Sequence, residues 1–401
     1  MKRHHSSSTA LPNELLAEIF SLLGVKSLMR FKCVNKSFNS LISDPYFVHM
    51  HLNKSQRNPN LTLISQQNYE TPFTDCSVIT FPISHLLDNS STIVEFYPYY
   101  QLNENNSSWW IVGSCNGLLT LIDTNIPPLN RDSRICFKNP ATRAKTEYFL
   151  PSSNISFQFA FGYDTLNEIY KVVAFHVELD VKRRKTSMVK FCDARTMVKV
   201  FSMGDDSWRN IESFPALPLY RFNNNSINNG VYLSGTMNWL ALRDYFCFNY
   251  LLCSNEGSID LEQFLIVSLD LSTETYTKLL LPQGFDKVPR FPPALVVLRD
   301  CLCLCHDLEE THFVIWQMKN FGFQESWIQL FKISYTNFFK WLDLLPMYLS
   351  ENGDTLILAN DRYDEAFIYN CKDNRVEKIE ISDNILWSQS KYFTESLVST
   401  R

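Results

Sequence analysis

The sequence predicts a small all-α unit at its start followed by a large all-β domain, an irregular β-propeller of about five or six blades. Three observations predict it. The apolar period is helical from Leu11 to about Leu52 and mostly strand-like beyond. Aromatic residues make up 14% of the chain against only 11 glycines, a balance that leans towards β structure. Past residue 55, short apolar runs bounded by Asn, Asp, Gly, Ser and Pro recur as pairs joined by tight polar turns.

The 401 residues suffice for about two to three domains, or one large domain with an appendage. The expected division is a disordered tail at 1–8, a helical unit at 9–53, the β domain at 54–385 and a second tail at 386–401. With 37 Lys+Arg against 42 Asp+Glu, the net charge of −5 supplies no global attraction to phosphate or anionic lipid. Neither nucleic acid nor membrane is therefore expected as a partner. No apolar run of about 18 residues is present and Met1 to Ala10 has no apolar signal-peptide core. Eleven cysteines, an odd number scattered from Cys33 to Cys371 without framework spacing, fit a reducing compartment, and a cytoplasmic or nuclear location, or both, is expected.

In the first unit Leu11, Leu15, Ile19 and Leu22 or Leu23 recur at helical steps, and Pro12 is tolerated in the first turn because its missing N–H is an orphan there. Gly24 ends this helix. Ser27 can cap a second one carrying Leu28, Phe31, Val34 and Phe38 on one face. Asp44-Pro45 reads as N-cap and first turn of a third, Tyr46 to about Leu52. Three short helices bury little apolar surface by themselves. Helix one also carries more large aliphatics than one stripe requires, so part of it is expected to be covered, either by another protein or by the β domain of this chain.

The β domain repeats two half-units. The first is a strand, a tight turn and a second strand, with turns at Asn116-Gly117, Asn229-Gly230, Asp300 and Asn352-Gly353. The second is an outer hairpin: around Asn139-Pro140-Ala141-Thr142-Arg143, around Gly204-Asp205-Asp206, around Ser272-Thr273-Glu274-Thr275, between Trp316 and Trp327, and around Lys372-Asp373-Asn374. Taking Gly117, Gly162, Gly230, Asp300 and Gly353 as equivalent gives intervals of 45, 68, 70 and 53 residues, each close to one four-stranded blade plus loops. Radial packing protects the edges of such units, which favours a propeller over a sandwich or solenoid.

Two stretches resemble known families. Leu11-Pro12-Asn13-Glu14-Leu15-Leu16-Ala17-Glu18-Ile19-Phe20, continuing through Leu28-Met29-Arg30-Phe31 to Asp44-Pro45-Tyr46-Phe47, resembles the F-box of plant F-box proteins. Gly24 stands where that family usually has proline, Asn35 where cysteine is common and Phe38 where tryptophan is usual; Phe38 is smaller but still apolar. Trp110-Ile111-Val112-Gly113-Ser114-Cys115-Asn116-Gly117-Leu118-Leu119, Asn139-Pro140-Ala141-Thr142-Arg143, Phe161-Gly162-Tyr163-Asp164 and Trp208-Arg209 resemble the kelch-like F-box-associated domain. The double glycine of a strict kelch repeat is missing. The resemblance implies that the helices dock a Skp-type adaptor and, through it, a cullin, while the β domain binds an unknown protein target for ubiquitination. It implies docking through Leu11, Pro12, Leu15, Ile19, Leu23, Val25, Leu28 and Phe31 as apolar anchors.

Other chemistry has weaker support. Cys301-Leu302-Cys303-Leu304-Cys305-His306-Asp307, with His312, is dense in metal-ligating residue types, but on a strand the three cysteines face away from His306 and the ligands do not converge. Cysteines here read as small core residues. Lys182-Arg183-Arg184-Lys185 reads as a solvated hairpin loop. No nucleophile elbow, phosphate loop, H-E-x-x-H or dinucleotide fingerprint occurs, and although His176, His306 and His312 could be combined on paper into a triad, no catalytic residue, metal or cofactor is expected. Trp208, Trp239, Trp316 and Trp327 are expected to pack between blades at equivalent positions. The expected function is that of a non-catalytic substrate adaptor of a ubiquitin ligase; the alternative is a ligand- or glycan-binding propeller with a silent F-box. Loops 88–108, 180–187, 221–229 and 244–262 are the candidate recognition loops.

Overall fold

The computed structural model describes residues 11–56, 60–67, 75–88, 100–101, 109–123, 134–150, 157–179, 188–190, 194–219, 230–247, 250–255, 259–338, 343–360, 365–380, 385–387 and 390–400. The expected tail at 1–8, the basic stretch 182–185 and the loops 180–187 and 221–229 lie outside the described residues. Of 88–108, only Asp88, Tyr100 and Gln101 lie within them.

The first unit holds four helices rather than three: α1 (Asn13–Phe20), α2 (Val25–Lys32), α3 (Lys36–Ser43) and α4 (Pro45–Ser55). The expected second helix is broken in two because the Asn35 side chain accepts a hydrogen bond from Phe38 N at 2.8 Å and starts a new helix. Gly24, not Ser27, is the N-cap of α2. Asp44 caps α4 as expected, accepting from Tyr46 N and Phe47 N, with Pro45 in the first turn.

Five antiparallel sheets then follow one another along the chain. Blade 1 is Trp109–Cys115, Leu118–Asp123, Arg134–Lys138 and Lys145–Phe149. Blade 2 is Gln158–Asp164, Ile169–Leu179, Ala194–Ser202 and Ser207–Asn210. Blade 3 centres on Thr236–Leu242, Phe264–Asp270 and Tyr276–Leu279, with Val231–Leu233 and Leu217–Pro218 along its inner edge. Blade 4 runs Ala294–Leu298, Cys301–Leu308, His312–Met318, Trp327–Ser334, and blade 5 runs Leu344–Leu349, Thr355–Asn360, Glu365–Asn370, Arg375–Lys378.

A further sheet, of four strands, joins the two ends of the domain: Lys391–Phe393 pairs with Asn60–Gln67, followed outward by Asp75–Pro82 and Tyr100–Gln101. It lies between blade 1, whose core receives Phe393, and blade 5, whose core receives Ile83 and Leu86 of the helix Ile83–Asp88. The expected tail at 386–401 is therefore corrected. Lys391–Phe393 is a strand, because its backbone groups find the free edge of Asn60–Thr62.

The turn expectations hold at Asn116-Gly117, whose φ values of 51° and 80° make the mirror-image hairpin turn. The turn expectation fails at Gly230, which precedes a strand, and Gly162, taken as equivalent to the turn glycines, lies inside one. The equivalent hairpins are at Thr165–Glu168 in blade 2 and Ser234-Gly235 in blade 3, where Glu168 and Gly235 hold positive φ. All five outer hairpins fall where the sequence places them.

The second strand of each blade is buried on both faces, and alternate residues serve different neighbours. Val172 and Ala174 pack towards blade 1, whereas Val173 and Phe175 pack towards blade 3. All four expected tryptophans lie in inter-blade cores. Trp208 and Trp327 hold equivalent outer-strand places and latch backwards: Trp208 Nε1 donates to Phe149 O at 3.2 Å and Trp327 Nε1 to Leu280 O at 3.1 Å. Trp239 and Trp316 sit on second and third strands and are not equivalent. Cys303 and Cys305 face blade 5, and burial pushes the Cys303 thiol up to about 12. Cys253, fully buried in the helix Tyr250–Asn255, is disulfide-bonded, a pairing that spacing along the sequence does not signal.

One charged network crosses a blade boundary. Lys171 Nζ lies 2.9 Å from Asp164 and 3.2 Å from Glu274, and it also donates to Leu271 O of blade 3. Arg209 closes the set on Glu274. Burial pushes Asp164 up, but hydrogen bonds from Asn167 and the Lys171 ammonium outweigh it and hold the carboxyl below its usual range. Glu274 is likewise held low against its burial by Arg209 and Lys171. Both groups ionise more readily folded than unfolded, so their contribution is present above the ordinary carboxylate range and is lost as pH falls below that range through their lowered folded values. Lys171→Met is expected to destabilise the domain by about 3–5 kcal/mol at neutral pH, because it leaves Asp164 buried and unpaired. In urea unfolding the difference from wild type should shrink as pH falls below the ordinary carboxylate range, where the unfolded chain and the variant's Asp164 take up protons.

Candidate protein-interaction site

The helical unit builds its core from one side of each helix. Phe20, Leu28, Ile42 and Phe47 are buried together, with Leu16, Leu23, Phe31, Phe38 and Met50 packed around them. Phe20 stacks on Phe31 with centroids 5.1 Å apart, and Phe38 meets Phe20 edge-on at 5.0 Å. Phenylalanine at 38 thus completes an aromatic triad. Gly24 has φ −63°, the angle a proline ring would fix, so the departure from proline leaves the path of the chain unchanged. His51 is buried under this loop, with Nε2 2.9 Å from Leu23 O. Burial lowers its pKa, against the opposing pull of that carbonyl and of Glu395.

What the core leaves outside is an apolar stripe on α1. Leu15, Ile19 and Leu22 are 52%, 49% and 74% exposed, and Leu11, two residues before the helix, is 53% exposed. These positions fall at steps of three and four residues, so they share one face. Pro12 is exposed beside them. Of the two covers expected for this face, the chain's own β domain is excluded among the described residues. Met29, Val34 and Tyr46 extend the exposed apolar surface.

The eight expected anchors therefore divide. Leu11, Pro12, Leu15 and Ile19 lie on the open stripe. Leu23 and Phe31 are half-buried against the core. Val25 and Leu28 are corrected: both are fully buried, because the first turn of α2 points them inward. Leu22, Met29, Val34 and Tyr46 are exposed apolar side chains outside the eight. Leu22 was legible as the next step of the stripe; the other three depend on how the helices pack.

The propeller presents two unlike faces. Antiparallel strands reverse direction at each connection, so the turns joining first to second and third to fourth strands share one face. Several of these are tight, as at Asn116-Gly117, Ser234-Gly235 and Arg299-Asp300, while that between Met318 and Trp327 in blade 4 is longer. Among the described residues, the opposite face carries the connection between Leu279 and Ala294 and the described parts of that between Leu242 and Phe264. The helical unit stands on the tight-turn side, since Leu397 enters its core while neighbouring residues lie against Gly117 and Asn139. The described residues of the expected recognition loop 244–262 lie on the far face. They include the strand Tyr245–Cys247, paired with Met188–Lys190, and the helix Tyr250–Asn255.

The histidines are placed for packing. His306 Nδ1 lies 2.9 Å from Asp307 O, Nε2 accepts from Trp316 Nε1 at 3.1 Å, and Phe285 meets the ring edge-on. His312 Nδ1 contacts Thr311 Oγ1 at 2.9 Å. His176 sits on blade 2 beside Phe157. The three do not come together in one blade, and among the described residues no group of three or more His, Cys, Asp or Glu gathers as metal ligands.

Comparison with known proteins agrees with this division. Residues 9–50 match the F-box domain model, and residues 71–400 match the model of the F-box associated beta propeller domain. The Arabidopsis thaliana F-box/kelch-repeat protein At3g23880 is 27% identical over 398 residues, covering 97% of this chain and 95% of that protein. F-box protein CPR1 of the same plant is 23% identical, covering 97% of this chain and 88% of its own length. The chain belongs to the plant F-box proteins that carry an F-box-associated β-propeller domain.

Proposed function

We propose that this chain is the substrate-recognition subunit of a Skp-cullin-F-box ubiquitin ligase. Helices α1 to α4 dock a Skp-type adaptor and, through it, a cullin, and the propeller holds a protein target for ubiquitination. The observation that carries this is the open stripe of Leu11, Leu15, Ile19 and Leu22 on a unit whose core is complete without it. An apolar face of this kind fits a helix-in-groove interface. The chain's contribution to transfer is proximity, which requires no nucleophile or shifted acid of its own. The target is held on the far face, where the longer connections lie away from the helices. The reading with a silent F-box rests on Gly24 and Phe38, and the backbone angle at one and the aromatic triad at the other favour a working helical unit. The proposed site of action is the cytosol, the nucleus or both; among the described residues no helix is long and apolar enough to cross a membrane.

Replacing Leu11 and Pro12 together with alanine is expected to weaken adaptor binding by about 30-fold or more while leaving the propeller folded; unchanged capture of adaptor by this variant would sink the reading. Stability separates anchors from core. Ile19→Ala should change unfolding free energy by no more than about 0.5 kcal/mol yet reduce adaptor binding. Leu28→Ala should destabilise the helical unit by about 2–5 kcal/mol in denaturant titration.

A further inference from the structure

The geometry assigns a binding site on blade 1 whose ligand is an extended peptide of this same chain, residues 394–400, and this peptide straps the helical unit to the propeller in one attitude. The site is built from two motifs that the adaptor function leaves unused. Asn139, at the start of the Asn139-Pro140-Ala141-Thr142-Arg143 turn, is fully buried. Its Oδ1 accepts from Ala141 N at 3.0 Å and Thr142 N at 3.2 Å, which shapes the turn. Its Nδ2 donates to Ser396 O at 3.0 Å and Val398 O at 2.8 Å, so both amide protons hold the peptide. Gly117 forms the opposite wall. With φ +80° and no Cβ, it lets the peptide pass where any side chain would run into Ser396 Oγ and Thr394 O. Thr146 Oγ1 contacts Thr400 Oγ1 at 2.9 Å and extends the site by two residues.

Extended backbone alternates its side chains, and the two faces of this peptide meet different partners. Val398 packs into the core between blades 1 and 2. Leu397 points the other way, into the helical core, where it is the only member from beyond residue 56 among the described residues. Glu395 lies beside Gly24 and acts on His51, both on the helical unit. Ser396 and Thr400 are 0% and 3% exposed. A loose tail would leave its backbone to water; this one has Ser396 and Thr400 buried, Leu397 and Val398 half-buried, and Ser396 O and Val398 O paired.

The strap stands whatever the helices bind. That it sets the distance between adaptor and target rests on the function proposed above. Asn139→Asp in the full chain isolates it, since the remaining oxygen still shapes the turn while both donors become acceptors facing Ser396 O and Val398 O. Amide exchange within 394–400 is expected to rise by about tenfold or more, with exchange in Leu118–Asp123 unchanged. Small-angle scattering should show a broadened distribution of distances as the helical unit comes loose. Leu397→Ala, which leaves blade 1 untouched, should reproduce the scattering change and decides the matter if the first variant misfolds. Unchanged scattering from Leu397→Ala, or exchange in a folded Asn139→Asp chain within about twofold of wild type, would overturn the strap. Adaptor binding by both variants should stay near wild type. Its absence in wild type as well would count against the proposed function and not against the strap.

Discussion

The antiparallel pairing of Lys391–Phe393 with Asn60–Thr62 is the contact on which the rest of the molecule depends. Each blade buries both of its broad faces only because a neighbour lies on either side, and a row of such blades would leave its two end faces open. Bringing strands from the two ends of the domain into one sheet removes those end faces. Phe393 then fills blade 1, and Ile83 and Leu86 fill blade 5. The same strand delivers residues 394–400 directly to the groove at Gly117 and Asn139, so closing the ring and seating the helical unit are consecutive events along one segment.

Within the ring, apolar burial supplies the bulk of the cohesion and polar contacts set the alignment. The inter-blade cores contain whole runs of Val, Ile, Leu and Phe, and each buried side chain of that size contributes about 1.5–3 kcal/mol. The Lys171, Asp164 and Glu274 cluster is different in kind. Desolvation takes back most of what the ion pairs gain, so its net contribution is small while the cost of breaking it is large. Such a cluster favours one rotation of blade 2 against blade 3 over its neighbours. The tryptophan latches at Phe149 and Leu280 do the same for the outer strands with single hydrogen bonds.

Much of this was legible in the sequence because period and turn chemistry are local. The switch from helical to strand period near residue 53, the Asp44-Pro45 cap and all five outer hairpins follow from a few adjacent residues each. What was not legible is non-local. Whether Leu28 or Leu22 faces the core depends on how α2, α3 and α4 pack, and the apolar period alone treats the two alike. The break at Asn35 was hidden because the apolar spacing from Leu28 to Phe38 continues through it. Gly162 and Gly230 mimic turn glycines but serve close packing, against Tyr232 and Leu271 in one case and Ala160 and Trp239 in the other. The last strand and the strap could not be seen at all, since their partners lie more than 250 residues earlier.

The central claim is that the open stripe on α1 is an interface awaiting an adaptor, and calorimetric titration of the intact chain with a purified plant Skp-type adaptor at several temperatures tests it most directly. One-to-one binding, of micromolar affinity on the order of magnitude or tighter, with a negative heat-capacity change from burial of Leu11, Leu15, Ile19 and Leu22, is the expected result. A folded chain that gives no binding, or binds with no heat-capacity change, would contradict it.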